Sequence, residues 1–303
     1  GCAAGAQVTA DVGGADQERL GLQVLDHVAD DLGIGIGVVD GQQGALAHQH
    51  LVGAVAAQLL GSGLDALAAQ QQADLLLTPC PSCLSNLRMA SKRMEDPQFR
   101  ARVDELLDGP AAEKFPPVTS VMQGIAGQLD MDAIASRVRK SLKGLKLAAY
   151  YGCLMSRPAE IMDFGDPENP TLMESMLAAC GAEMVDFPLK TSCCGASFGI
   201  PERSMTARNT GRILDLATRL GVDAVIVACP LCQMNLDLRQ VQAGDAVQTR
   251  FNLPILYYTQ MLGLAFDLPK TDLGLEKLRV SADGLIAKLE ELRRADAAEG
   301  GRS

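Results

Sequence analysis

The chain has no tryptophan, and its 303 residues include only seven phenylalanines and four tyrosines. So few aromatics weaken a reading built on the stacking platforms that hold single-stranded nucleic acid. Positive charge is also short: 27 Lys and Arg stand against 37 Asp and Glu, a net charge of −10. A nucleic-acid binder needs a basic face to neutralise phosphates, so the balance speaks against DNA and RNA partners. No apolar run reaches the roughly 18 residues of a membrane-spanning helix. The nearest, Leu51 to Ala69, is broken by Gln58 and Asp65 and has no charged segment before it. The sequence therefore predicts no membrane span and no secretory leader, and a cytoplasmic protein. Histidine is limited to His27, His48 and His50, and the pair His48 and His50 reads as exposed chance rather than a metal site. No Ser–His–Asp set, carboxylate pair or phosphate loop stands out. Gly33-Ile-Gly-Ile-Gly37 lacks the spacing of a dinucleotide fingerprint.

One further absence is local. Residues 1–78 contain no Lys, Pro, Met, Phe, Tyr or Trp and a single arginine, Arg19. From Pro79 the composition becomes ordinary. In the first segment, helical periodicity over Leu20 to Leu32 and Leu51 to Leu67 and a strand at Ile34 to Val39 are the expectations.

What the chain does have is a core-forming fraction, 48% hydrophobic against 21% charged, and nine cysteines. An odd cysteine count with no secretion signal argues against a disulfide framework and for metal or redox chemistry in a reducing compartment. The pattern after residue 74 alternates. Short apolar runs at 75–78, 146–151, 183–187, 224–228 and 255–258 read as strands. Helices are expected over Leu84 to Arg93, Gln98 to Leu107, Met131 to Leu142, Thr171 to Ala179, Met205 to Leu220, from Gln233, Thr259 to Ala265, and Glu276 to Ala295. Thr171 is the cap candidate of the fourth of these and Gly181 its stop. Strand–helix alternation implies parallel sheets. The basic run Arg137 to Lys146 reads as a solvated face, Met173, Met176 and Met184 as core fillers, and Cys180 as a buried structural thiol.

There is an internal repeat. Ala73 to Leu87, containing Cys80-Pro-Ser-Cys83-Leu-Ser-Asn-Leu, matches Val222 to Leu236, containing Cys229-Pro-Leu-Cys232-Gln-Met-Asn-Leu. Both read as a strand followed by C-P-x-C-x-x-N-L. The expected fold is α/β with two pseudo-repeated halves. Each is a small parallel sheet flanked by helices, with cysteines at strand C-terminal ends. The expected boundaries are 1–117 for the N-terminal half, 118–296 for the C-terminal half, and 297–303 for a flexible tail.

In the second half Cys153, Cys193, Cys194, Cys229 and Cys232 follow three predicted strands. The C-terminal ends of parallel strands converge on one edge, so these thiols are expected in one crevice. Thiolates are soft ligands suited to iron–sulfur clusters or zinc. The adjacent pair Cys193-Cys194 is awkward for one tetrahedral ion and suits a larger, multi-iron group. Gly195 is expected to let the backbone approach such a group.

The words Tyr150-Tyr-Gly-Cys153, Cys193-Cys-Gly-Ala196, Cys229-Pro-Leu-Cys-Gln-Met-Asn-Leu236 and Pro254-Ile-Leu-Tyr-Tyr-Thr-Gln260 resemble the cysteine-rich CCG domain, and in particular the B-type subunit of heterodisulfide reductase. The resemblance runs from about Ala73 to Leu268. It implies a non-cubane [4Fe–4S] cluster held by five cysteines, here Cys153, Cys193, Cys194, Cys229 and Cys232. It implies disulfide reduction at that cluster, through Cys193 and Cys194. It also implies electron delivery from a ferredoxin-like iron–sulfur subunit of the C type and a flavin-bearing subunit of the A type. The family carries two such motifs per chain. Cys80 and Cys83 match the closing pair of the first, and Gly1-Cys2 resembles its leading Gly-Cys. No Cys-Cys-Gly precedes Cys80, so one cluster is expected, and two if the first half is functional. Either the first site is lost or altered, or residues up to about 70 are a misread frame, which the compositional break favours. Two other readings stand beside this one. The first is an electron-transfer subunit of a quinone-linked succinate or fumarate reductase, or of a lactate or glycolate oxidase. The second is a zinc-stabilised assembly subunit without redox activity.

Overall fold

The structure is a computed structural model. It describes Gly37–Val38, residues 74–106 and residues 115–300. Cys2, the three histidines, the glycines at 33 and 35, and the helices expected at 20–32 and 51–67 lie outside the described residues. Two compact units are present, divided between Gly124 and Ile125, with Glu160–Met162 joining the first.

The first unit holds a parallel three-stranded sheet in the order β1 (Gly37–Val38), β2 (Leu76–Thr78), β3 (Val118–Ser120). Strand β2 is buried along its whole length. It leads through Pro79-Cys80 into α1 (Pro81–Arg93). Helix α1 starts three residues earlier than periodicity suggests, because Pro81 fits the first helical position, where no N–H is needed. Leu84 and Leu87 of α1 pack with Leu76, Val118 and Met162. Arg88, one residue further on, donates from Nε to the Val118 carbonyl at 2.8 Å and from Nη1 to the Ile161 carbonyl at 3.2 Å. Helix α2 (Pro97–Leu106) follows. Strand β3 and helix α3 (Val121–Gln128) were not legible in the sequence, since Val118-Thr-Ser offers only one large apolar residue. Their junction is held by Gln123, whose Oε1 accepts from the Ser120 hydroxyl at 3.0 Å.

The second unit takes in the end of α3 from Ile125 and then α4, which is Met131–Arg137, not the longer helix expected to Leu142. Asp130 caps its start by accepting from Ala133 N–H at 2.7 Å. It stops because the next donors go elsewhere: Arg139 and Lys140 N–H both donate to the Ala265 carbonyl, and Leu142 N–H donates to Cys180. A parallel four-stranded sheet follows, built from β4 (Lys146–Tyr150), β5 (Glu183–Val185), β6 (Ala224–Val227) and β7 (Ile255–Tyr257), in the order β5-β4-β6-β7. Leu147 pairs with Ala224 and Tyr150 with Val227. Strands β4 and β6 are central and covered on both faces, which is why they read as unbroken apolar runs. From β4 the chain passes through α5 (Ala159–Met162), whose last three residues belong to the first unit, and α6 (Leu172–Ala179) to β5 on one side. It then returns through α7 (Arg203–Arg219) to β6 on the other. This reversal makes the gap between the ends of β4 and β6 the switch point where open α/β sheets place their sites.

Helices α8 (Pro230–Leu238) and α9 (Gln240–Val247) precede β7, and α10 (Tyr258–Ala265) follows it. Thr171 occupies the cap position of α6, but its side chain makes no capping bond. Met173, Met176 and Cys180 are buried as expected, whereas Met184 is only partly covered. The last helix, α11, is Asp283–Gly300 rather than a helix from Glu276. The segment before it is diverted because the Asp237 carboxylate accepts from Arg279 and Val280 N–H at 2.6 and 3.0 Å.

Burial holds the phenols of Tyr151 and Tyr258 well above their ordinary value, and the Glu174 carboxylate adds to the effect on Tyr151. Groups whose folded pKa is raised contribute stability below the unfolded value near ~10 and lose it above that pH. Stability is therefore expected to fall by about 1.4 kcal/mol per pH unit per buried tyrosine once pH passes ~10. Denaturant midpoints measured across that range check this, and Tyr258→Phe is expected to flatten the slope.

Candidate functional site

Cys153 lies three residues beyond β4. Between them Gly152 turns the chain with φ +74°, in the left-handed region. A Cβ added there would stand 2.9 Å from the Cys232 sulfur, so glycine lets the backbone pass directly beside that thiol. The N–H groups of Tyr151 and Gly152 donate to the Lys190 carbonyl at 2.8 and 3.0 Å. The Tyr150 hydroxyl donates to the Ser192 carbonyl at 2.5 Å. These bonds tie the end of β4 to the loop after β5, which carries Cys193 and Cys194.

Behind this junction lies a buried polar network. Lys190 Nζ donates to the Pro170 carbonyl at 3.0 Å and to Glu174 Oε1 at 2.8 Å. Glu174 Oε2 accepts from the Tyr151 hydroxyl, whose oxygen accepts from Met173 N–H at 2.7 Å. At the rim Arg157 donates to the Thr191 carbonyl at 3.2 Å and pairs with Glu168.

Cys193 is exposed and Cys194 is buried at 3% exposure, so the adjacent pair faces two environments. Gly195 has φ +84° and its N–H donates to Cys193 Sγ at 3.4 Å. A Cβ added at Gly195 would lie 3.0 Å from Thr206 Cα of α7, so the helix already requires glycine at this position. The Gly195 carbonyl accepts from the Thr206 hydroxyl at 3.0 Å.

Cys229 caps α8 with Pro230 behind it, and Cys232 follows in the first turn. Both are buried. The Tyr257 hydroxyl fixes the preceding backbone by donating to the Ala228 carbonyl at 2.8 Å. The three strand ends thus bring the second-half thiols together. Cys194 Sγ and Cys232 Sγ are 3.4 Å apart. Cys229 lies close enough to act on Cys232, and Cys193 on Cys153. Its hydrogen bond with Cys232 lowers the Cys194 thiol to about 7, against the opposing effect of burial. Burial, then the charge of Cys193, pushes Cys153 up to about 12. Cys232 is raised well above its ordinary value by its bond with Cys194, by Cys229 and by burial. So close a set of thiols resists full ionisation, and metal cations are the usual counter-charge. Among the described residues no three His, Cys, Asp or Glu side chains are placed to hold a single ion. Five soft thiol donors outnumber the four ligands that one tetrahedral zinc takes.

In the first unit Cys80 caps α1 and Cys83 lies in its first turn, the placement that Cys229 and Cys232 have on α8. The Cys80 N–H donates to Thr78 Oγ1 at 3.3 Å. Cys2 lies outside the described residues. The residues that sequence reasoning passed over are Lys190, Glu174, Thr206, Thr210 and Asn235. The one available signal was the Asn shared by both repeats, Asn86 and Asn235.

Residues 147–237, from β4 to the end of α8, match the cysteine-rich domain family CCG. The chain is 29% identical over 263 residues to the 8-methylmenaquinol:fumarate reductase membrane anchor subunit of Wolinella succinogenes, covering 86% of this chain and 92% of that one. It is 29% identical over 224 residues to the B subunit of the ferredoxin:CoB-CoM heterodisulfide reductase of Methanosarcina mazei, covering 72% and 74%. A crystal structure of a hypothetical protein from Helicobacter pylori shares the fold with TM-score 0.59 at 12% identity. That match covers 76% of this chain and 42% of the other. No helix among the described residues is long and apolar enough to cross a membrane. The segment carrying the five clustered thiols is a CCG cysteine-rich domain, and the chain is a homologue of the B subunit of heterodisulfide reductase.

Proposed function

We propose that this chain is the iron–sulfur subunit of a heterodisulfide-reductase-like complex, with a non-cubane [4Fe–4S] cluster held by Cys153, Cys193, Cys194, Cys229 and Cys232. The observation that carries the reading is the convergence of these five thiols at the switch point of one parallel sheet. When bound, the cluster supplies one-electron chemistry at sulfur. The protein's part is to hold the ligands, bury most of them and leave one side open. Cys194, Cys229 and Cys232 form the buried side and Cys193 the exposed one, where a disulfide would approach. Reducing a disulfide to two thiols consumes two electrons and two protons. The electrons come from partners in the cytoplasm, the ferredoxin-like iron–sulfur subunit and the flavin-bearing subunit.

A partner's approach is supported by the surface next to the site. Phe198 and Ile200, just after the cysteine pair, and Met234, Leu238 and Val241 on α8 and α9 are exposed, Ile200 at 84% and Val241 at 71%. Arg239 joins the two segments by donating to the Gly199 carbonyl at 3.3 Å. Large apolar side chains grouped in this way mark contact surfaces.

A second reading is an electron-transfer subunit of a quinone-linked fumarate or succinate reductase. It is favoured by the long match to the Wolinella protein. Iron, acid-labile sulfide and zinc per chain, measured on protein purified without oxygen, test what both readings share. About four irons and four sulfides are expected, and about eight would mean that the first half also builds a cluster. Zinc without iron would overturn both in favour of a structural metal domain. Reduction of a mixed disulfide against reduction of a quinone, by the purified complex, then separates them.

A further inference from the structure

One cysteine of the set is held by more than its strand. The Cys194 carbonyl accepts from Asn235 Nδ2 at 3.1 Å and from the Thr210 hydroxyl at 3.3 Å. Asn235 Nδ2 also donates to Thr210 Oγ1 at 2.9 Å, which closes a three-membered polar ring. Thr206, one turn before Thr210 on α7, donates to the next carbonyl, Gly195. All three side chains are buried, Thr206 and Thr210 at 0% exposure and Asn235 at 2%. A polar amide so placed would cost free energy unless its donors were used, and here both are.

The ring spans two elements that the sheet does not join at this point. Thr206 and Thr210 come from α7, before β6. Asn235 comes from α8, three residues after Cys232. Packing alone would settle the backbone of Cys194 and Gly195 loosely, because Gly195 sits in the left-handed region with no side chain to anchor it. Directional bonds to two successive carbonyls remove that freedom. The same helical turn that presents Cys232 therefore also presents the group that fixes Cys194, and the two sulfurs end 3.4 Å apart. This gives a physical task to the Asn of C-P-x-C-x-x-N-L. In the first unit the side chain of the equivalent Asn86 makes no hydrogen bond to another described residue.

We propose that Asn235, acting with Thr210, is a positioning residue that sets the placement of Cys194 relative to Cys232 for metal ligation. The inference rests on the five-cysteine reading above. Supporting groups of this kind typically govern metal affinity by about 10- to 100-fold.

The test compares Thr210→Val, which keeps shape but removes the hydroxyl, with Thr210→Ser, which keeps the hydroxyl, and with Asn235→Asp, which puts an acceptor where a donor stood. Each is purified anaerobically. Iron retention against a chelator, the electron paramagnetic resonance spectrum of the cluster and its midpoint potential are read, with thermal unfolding of the metal-free protein as the check on folding. Asn235→Asp and Thr210→Val are expected to release iron about 10 to 100 times faster than the parent. Both should also show an altered spectrum and a shifted potential, and Thr210→Ser should restore the parent behaviour. Unchanged spectra, potential and iron release in Asn235→Asp and Thr210→Val would overturn the inference, even if their melting temperatures fell, because the ring would then be only structural. A parent protein without iron would instead defeat the cluster reading itself.

Discussion

Cys232→Ser is expected to abolish iron binding at the second-half site, taking iron from about four per chain to near zero. Cys232 is the hub of the thiol set: it is 5% exposed, contacts Cys194 and Cys229, and lies beside the Gly152 turn that carries Cys153. A serine hydroxyl is a hard ligand that keeps its proton at neutral pH, where a soft thiolate is required. No neighbouring thiol can replace it, because the other four already belong to the set. Cys180→Ser is the matched control. Cys180 is also buried, with its thiol pushed up to about 12, but burial is the cause and no other cysteine contributes. Iron in Cys180→Ser is expected to equal that of the parent. Full iron in Cys232→Ser would remove Cys232 from the ligand set and with it the five-cysteine site.

Lys190→Met is expected to destabilise the protein by about 3–5 kcal/mol. The Lys190 and Glu174 side chains are 10% and 20% exposed, so their ion pair is largely withdrawn from water. The ammonium also satisfies the Pro170 carbonyl. Removing it leaves the Glu174 carboxylate beside the Tyr151 hydroxyl with its counter-charge gone. In a domain of this size the melting temperature should fall on the order of 10 °C. The double variant Lys190→Met with Glu174→Gln should recover most of the loss, since no unpaired charge remains. Iron content is expected to survive in the folded fraction, because it is the Lys190 carbonyl, retained by Met, that holds Tyr151 and Gly152. A melting temperature unchanged in Lys190→Met would show that the pair contributes nothing to stability.

The elements that sequence reading found are those whose burial leaves a mark on composition. Strands β4 and β6, covered on both faces, appear as Leu-Ala-Ala-Tyr and Ala-Val-Ile-Val. Strand β3 escaped, because Val118-Thr-Ser is short and half polar. Helix ends were misjudged where tertiary hydrogen bonds outcompete the local ones. Arg139 and Lys140 turn to the Ala265 carbonyl, so α4 stops at Arg137. Asp237 captures the backbone at 279–280, so α11 starts only at Asp283. Periodicity carries no information about such long-range partners.

The cysteine spacing alone determined that thiols would follow three strands, because a strand's length and direction fix where its next loop emerges. The repeat of C-P-x-C-x-x-N-L likewise determined that a helix would follow each CPxC word, while the fold starts those helices at Pro81 and Pro230, inside the words, since proline suits a first turn. Only the tertiary structure decided the strand order, and hence that the ends of β4 and β6 adjoin at a switch point. It also decided which thiols are buried, brought Thr210 and Asn235 to the Cys194 carbonyl from 16 and 41 residues away, and paired Lys190 with Glu174. Those side chains act through carbonyls and buried charge. A linear sequence shows neither until the chain has folded around them.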